Sequence, residues 1–371
     1  MTATEQPALV LRGLRKQFGG AVAVDGIDLE VRRGEFLTLL GPSGSGKTTT
    51  LRMVAGFMAP TAGSIEIDGT DMTRVPPYRR DVGMVFQNYA LFPHMTAADN
   101  VAFPLRMRRR PGPEIKTRVA EALRLVKLGD YGDRYPRQLS GGQQQRIALA
   151  RAVVFEPRLL LMDEPLGALD RKLREGLQLE IIRVSRELGA TVIYVTHDQE
   201  EALVMSDRIA IFNAGRIEQL GGGEDLYDRP ASLFVADFIG ESNILRGRYD
   251  VDGGEGGWMT WGDARWRVGR AAAERAALAS GASAALVVRP ERMRIVDGEG
   301  AGGLANTVEA TVDEVLYLGP DTKYQLALST GQRVSVREPR STDGRELARG
   351  DRVKLGWSIE DGLLVDDPGG V

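Results

Sequence analysis

Eight residues, Gly41-Pro-Ser-Gly-Ser-Gly-Lys-Thr48, constrain this chain more than any other stretch. They match the P-loop pattern and stand between the apolar run Glu35-Phe-Leu-Thr-Leu-Leu40 and a helical pattern that begins at Thr48. A strand, a glycine-rich turn and a helix in that order make a phosphate cradle. In Gly41, Pro42, Ser43, Gly44, Ser45 and Gly46 the glycines let the backbone wrap, so that several amides and the positive end of the following helix point at phosphates. Lys47 supplies a charge to β and γ phosphates, the Thr48 hydroxyl is placed to ligate magnesium, and Thr49 continues the binding segment. A glycine-rich turn that merely opens a helix would share these residue types, but chance seldom supplies both the motif and its strand-loop-helix setting.

The rest of the chain fits that frame. Up to about residue 240 short apolar runs alternate with amphipathic helical patterns, as in a parallel sheet covered by helices. Leu159-Leu-Leu-Met162 and Thr191-Val-Ile-Tyr-Val195 read as further buried strands. Ile115, Val119, Leu123 and Val126 recur at helical spacing, and so do Leu173, Leu177, Ile181, Val184 and Leu188. After about Asn243 the pattern changes: all four tryptophans lie there, and glycine-punctuated segments alternate with period two. Val308, Ala310 and Val312 share one face, as do Tyr324, Leu326 and Leu328, and Val353, Leu355 and Trp357. The glycine-rich Asp252-Gly-Gly-Glu-Gly-Gly257 reads as a hairpin tip or loop. The expected architecture is an α/β domain over residues 1–240, followed by a small all-β domain over residues 241–371; 371 residues is more than one ordinary core accommodates.

Composition removes several function classes. The chain has no cysteine, hence neither disulfides nor thiolate metal sites, and its two histidines, His94 and His197, do not make a structural zinc site. A net charge of -3 exerts no global pull on nucleic acid, so none is expected as a partner. The start Met1-Thr-Ala-Thr-Glu-Gln-Pro lacks the basic and apolar regions of a signal peptide, and no run of about 18 apolar residues is present to span a bilayer. A cytoplasmic chain is expected, which serves a membrane only by docking onto other subunits.

Two further motifs narrow the chemistry. Leu159-Leu-Leu-Met-Asp163-Glu164 places Asp163 at a strand end, where it can hold magnesium, and Glu164 next to it, where a carboxylate can polarise an attacking water. That pairing favours hydrolysis over transfer to an acceptor; without the P-loop, a polar strand end turning at Pro165 would explain it equally well. In Leu139-Ser-Gly-Gly-Gln-Gln-Gln-Arg146, Ser140 and Gln143 form a capping-box pattern. Ser140, Gly141 and Gly142 would then sit at a positive helix end bare of bulk. Taken alone this is a helix cap, but beside a P-loop it reads as a second phosphate-binding site.

This segment resembles the signature motif of ABC transporter ATPases, and the chain is identified as a member of that family, in its importer class. The resemblance implies an ABC-type P-loop ATPase domain with a helical subdomain near residues 90–155, using ATP and Mg2+. It also implies a head-to-tail homodimer in which each ATP lies between the P-loop of one subunit and the signature helix of the other. Phe18, in Lys16-Gln-Phe-Gly19, resembles the aromatic that stacks on adenine, where many relatives carry tyrosine. Gln87 is similar to the glutamine that links magnesium and the water to the membrane interface. Asp170 resembles the aspartate loop that crosses the dimer interface, and His197 the switch histidine that contacts the γ-phosphate. Residues 86–96, unusually aromatic for a connection, resemble the groove lip that receives the coupling helix of a permease, and His94 is assigned to that surface. Arg106, Arg108, Arg109 and Arg110 read as a solvated loop, with lipid headgroups as the weaker alternative.

Residues 238–243 and Val288-Arg-Pro-Glu291 look like the junction and opening of the transport-associated OB-type domain of importers, although Gly221-Gly-Gly223 departs from the usual glycine-x-proline turn. Two permease subunits and, indirectly, a solute-binding protein are the implied partners, at the cytoplasmic face of the membrane. Similarity at residues 238–243 and 317–324 makes spermidine or putrescine the first solute, with ferric iron, phosphonate or sugar as alternatives. A soluble ABC ATPase of DNA repair or translation would instead show a long coiled-coil insertion or tandem ATPase domains. An oligonucleotide-binding role for the β domain would call for a basic stripe with interleaved aromatics.

Overall fold

A computed structural model describes residues 6–167, 170–253, 256–296, 304–329, 331–340, 347–367 and 369. The chain divides into two compact units, Met1–Gly223 and Glu224–Val371.

Six strands form the central sheet of the first unit, in the order Arg216–Gly221, Arg208–Asn213, Phe36–Leu40, Val192–Thr196, Leu159–Asp163, Val82–Val85. All neighbours pair in parallel except Arg216–Gly221, which closes its edge antiparallel. Phe36–Leu40, Leu159–Asp163 and Val192–Thr196 are buried along their whole length, as a parallel sheet covered on both faces requires. The register pairs Leu40 with Thr196 and Asp163 with Val195, so three strand ends carrying the P-loop, Asp163-Glu164 and His197 open at one edge. A second, antiparallel sheet of Ala21–Val31, Leu9–Phe18, Ala62–Ile67 and Thr70–Asp71 ends one of its strands at Phe18.

The helices Ala97–Met107, Gly112–Leu125 and Gly141–Val153 pack on one another through Val101, Leu105, Val119, Leu123 and Ile147. The stripe on the Arg171–Glu187 helix is buried at Leu177, Ile181 and Val184, whereas Leu173 and Leu188 at its ends are exposed. Helical spacing marks a face but not where the neighbouring core stops. The arginine cluster is surface-bound and paired: Arg106 with Asp99 at 2.8 Å and Arg108 with Asp81 at 3.1 Å, while the Arg108 guanidinium stacks on Phe155.

The second unit holds two antiparallel five-stranded sheets. Their inner faces carry the alternating sets 308/310/312, 324/326/328 and 353/355/357, with Trp266 and Trp357 buried 6.1 Å apart. Within Asp252-Gly-Gly-Glu-Gly-Gly257, residues 254 and 255 lie outside the described set, and Gly256 already begins the strand Gly256–Trp261. Residues 224–240, which the sequence pattern groups with the first domain, fall in this unit. Arg289 is the reason: its buried guanidinium donates to the carbonyls of Tyr227, Ala236 and Ile239, while Ala236 packs on Val287 and Val365. Short helices at Gly223–Asp228 and Leu233–Phe238 look like those of an α/β domain, and long-range ties assign them: beside Arg289, Arg292 donates to Asp228 Oδ1 at 2.7 Å and the Tyr227 hydroxyl to Glu291.

Candidate functional site

The P-loop is a tight, self-satisfied turn. A side-chain carbon at Gly41 would lie 2.3 Å from the Phe212 carbonyl oxygen. Gly46, with φ of +105°, caps the helix Lys47–Ala55 and would meet the Ala23 carbonyl at 2.5 Å. Only glycine fits either place. Lys47 is buried, and its Nζ donates to the Gly41 and Pro42 carbonyls at 2.7 and 2.9 Å. Burial holds the lysine pKa below its ordinary value, partly offset by the carboxylates of Glu164 and Asp163. Asp163 is displaced by the same cause in the opposite direction: burial raises its pKa, against the hydrogen bond from Thr48 and the charges of Arg52 and Lys47. Both charges thus sit where water stabilises them poorly, so a polyanion and a cation arriving together would be strongly favoured.

Thr48 Oγ1 donates to Asp163 Oδ1 at 3.0 Å, placing a hydroxyl and a carboxylate side by side. Two hard oxygen donors suit magnesium, which is commonly held by one or two carboxylates with the nucleotide's own phosphates completing the shell.

Glu164 follows in the left-handed conformation, φ 45°, with its N–H donating to the Val195 carbonyl at 3.0 Å. For a residue with a side chain that conformation costs on the order of 1–3 kcal/mol. It turns the carboxylate onto two residues distant in sequence: Glu164 Oε2 lies 3.5 Å from Gln87 Nε2 and 3.3 Å from His197 Nδ1. Gln87, Glu164 and His197 therefore meet, beside Lys47, Thr48 and Asp163.

The remaining expected residues stand apart. Ser140 caps the helix Gly141–Val153 with the reciprocal bonds of a capping box, Gln143 N to Ser140 Oγ at 3.3 Å and Ser140 N to Gln143 Oε1 at 2.9 Å. Among the described residues, no hydrogen bond or ion pair joins residues 140–142 to residues 41–49. Phe18 is 48% exposed, with Lys16 Nζ 5.1 Å above its ring. Asp170 caps the helix Arg171–Glu187 through Leu173 N; residues 168 and 169 of its loop lie outside the described set.

Two supporting arginines escape a reading of motifs. Buried Arg80 donates to the carbonyls of Met53 and Val54 at the end of the P-loop helix, both at 2.8 Å, placing a cation at the helix's negative pole. Arg151, near the end of the signature helix, donates to the Tyr89 and Ala90 carbonyls at 2.7 Å. These two residues are themselves left-handed, φ 59° and 46°. Arg151 thereby fixes the segment after Gln87 beside a cavity of about 340 Å³ lined by Phe86, Phe92, Phe103 and Phe155. His94 lies beside Phe92 on this surface, the rings tilted by 57° with 6.1 Å between their centres. The available signal was an arginine pair in the turn Pro77-Tyr-Arg-Arg80 and an arginine in the apolar helix Gly141–Val153, both too common to single out.

Comparisons with known proteins give the family. Residues 24–167 match the ABC transporter family model and residues 286–365 the TOBE domain model. The chain is 50% identical to the spermidine/putrescine import ATP-binding protein PotA of Thermobifida fusca, covering 97% of this chain and 94% of that protein. It is 49% identical to the protein of the same name from Acidothermus cellulolyticus, over 98% and 95%. Among solved structures, the dimeric ATP-binding cassette MJ0796 in a post-hydrolysis state with ADP and Pi aligns with a TM-score of 0.52 at 35% identity, covering 58% of this chain and 98% of that one. The chain belongs to the ABC transporter family, as an ATP-hydrolysing, ATP-binding subunit of an import system.

Proposed function

We propose that this chain works as a homodimer at the cytoplasmic face of the membrane and drives uptake of spermidine or putrescine through two permease subunits. The convergence of Gln87, Glu164 and His197 next to the Thr48–Asp163 pair carries the reading, because it unites a base, a polar guide and a histidine at one phosphate-binding edge. Lys47 and the loop amides of residues 41–49 bind the β and γ phosphates, and Phe18 offers its exposed ring to the base. Thr48 and Asp163, with Gln87 on the neighbouring Glu164, would hold magnesium, which would supply charge neutralisation on the phosphates. Glu164 orients the attacking water and accepts its proton; His197 and Gln87 hold that carboxylate in place and contact the terminal phosphate and the metal shell. Ser140, Gly141 and Gly142 complete the site of the other subunit, and Asp170 lies at the interface between them. The aromatic surface of residues 86–96 takes the permease's coupling segment.

The names of the relatives support a polyamine as solute, and use of ATP supports the cytoplasmic side. The test is uptake of labelled spermidine, putrescine, ferric iron and phosphonate by a deletion strain without a second importer. Polyamine uptake should vanish and return with the wild-type gene but not with Glu164→Gln. Loss of iron or phosphonate uptake alone would reassign the solute, and unchanged uptake of all four would overturn the reading.

A further inference from the structure

His197 is 57% exposed in its side chain, so packing alone does not hold it, and the backbone at residues 196–198 sets where its ring can meet Glu164. That backbone is anchored on both sides of the histidine. Thr196 Oγ1 donates to Glu201 Oε2 at 2.7 Å and accepts from Asp198 N at 3.0 Å, and the Tyr194 hydroxyl donates to the same Glu201 oxygen at 2.8 Å. Asp198 Oδ1 accepts from the N–H groups of Glu200 and Glu201, capping the helix Gln199–Met205.

The other faces of both carboxylates meet one guanidinium. Arg174 Nη1 donates to Asp198 Oδ2 at 2.9 Å, and its Nε lies 3.8 Å from Glu201 Oε1. Arg174 stands one turn inside the helix Arg171–Glu187, and its N–H donates to the carbonyl of the capping residue, Asp170, at 2.9 Å. The Nη1–Asp198 bond fixes direction as well as distance, and Nε adds a charge contact to Glu201 that is longer than a hydrogen bond. Glu201 is only 3% exposed, so its second oxygen requires a cation or donor there.

We propose that Arg174, Asp198 and Glu201 are positioning residues: a strut that ties the Asp170 helix to the His197 loop, so that the seating of Asp170 sets the register of His197 on Glu164. The proposal rests on the roles given above to Glu164, His197 and Asp170. A strut of this kind gives each site a mechanical reading of the Asp170 loop. A cluster that served the fold alone would have no effect at the histidine once helix capping was preserved.

Asp198→Asn separates the two cases, since asparagine caps a helix as well as aspartate and has the same shape. Arg174→Ala serves as the second variant, and both are measured on the full-length protein. Turnover should fall on the order of 10- to 100-fold with Asp198→Asn, the loss expected from slight misplacement of a group at the chemistry. Affinity for a fluorescent ATP analogue should stay within about threefold, the split that marks loss after binding. The double variant should be no slower than the slower single one, as two members of one strut require. Because the chain has only two histidines, carbon-13 labelling of the imidazoles gives one signal for His197 and one for His94. The His197 signal should move in both variants and the His94 signal should not. Turnover within about twofold of wild type for Asp198→Asn, or a fall in turnover with the His197 signal unmoved, overturns the strut. His197→Ala is run alongside: full activity there removes the proposed role of the histidine itself, whereas an inactive His197→Ala beside an unaffected Asp198→Asn removes only the strut.

Discussion

The P-loop and the signature helix are both helix ends offered to phosphate, yet they are finished differently. Around the P-loop the chain supplies nearly everything itself: Ser45, Lys47 and Asp163 are buried, Lys47 is bonded to its own loop, and Thr48 to Asp163. At the signature helix the capping box engages the N–H groups of Ser140 and Gln143, leaving exposed Ser140 and Gly141 at an otherwise bare positive end. One end is a complete cradle and the other is half of something. That difference is the one the proposed shared site would use, the second end serving an ATP held by another copy of the chain.

The sharpest way to break this contrast is at Glu164. Glu164→Gln should lower the turnover rate by about 10²–10⁴ while ATP binding is retained, since it removes the base and keeps its shape. Steady-state turnover with parallel nucleotide titration checks it, and more than a tenth of the wild-type rate would contradict the role. Lys47→Ala should act on the cradle itself, weakening ATP about 10- to 100-fold, the worth of a charge-assisted bond. Unchanged affinity would mean that the lysine does not meet the phosphates.

Glycines at the two ends sharpen the comparison on stability. Gly46→Ala places a carbon against the Ala23 carbonyl in a left-handed conformation and should cost at least about 1–3 kcal/mol in urea unfolding. Gly142→Ala meets first the end of the Leu173 side chain, with Cδ1 at 3.1 Å and Cδ2 at 3.2 Å, and no backbone atom as near, so it should stay within about 0.5 kcal/mol of wild type. Equal costs would mean that the signature helix is as tightly built as the P-loop. The smallest effect is expected from ending the chain at Gly223: every residue of the candidate site precedes it, so ATP affinity should be unchanged, as fluorescence titration of the shortened protein would report.

What the sequence made legible follows the same division. The P-loop, the strand end at Asp163 and the capping box at Ser140 are contiguous, so their spacing alone implies their geometry. Buried strands were readable because a parallel sheet covered on both faces favours near-continuous apolar runs, broken in Phe36–Leu40 only by Thr38 and in Val192–Thr196 only at the terminal Thr196 beyond the Tyr194 ring. The meeting of Gln87, Glu164 and His197 was available only through family resemblance, because it depends on strand order and on the left-handed turn at Glu164. Arg80, Arg151, Arg174 and Arg289 were not legible at all. Each acts by reaching groups remote in sequence, and nothing local separates such an arginine from a solvated one.

Dimer formation tests the shared site most directly. With ATP, the Glu164→Gln protein should run as a dimer in size-exclusion chromatography and without ATP as a monomer. Adding Ser140→Arg places bulk and charge at the bare helix end, and should leave a protein that still binds ATP but stays monomeric. An ATP-dependent dimer formed by the double variant as readily as by Glu164→Gln alone would contradict the claim that the signature helix completes a partner's site.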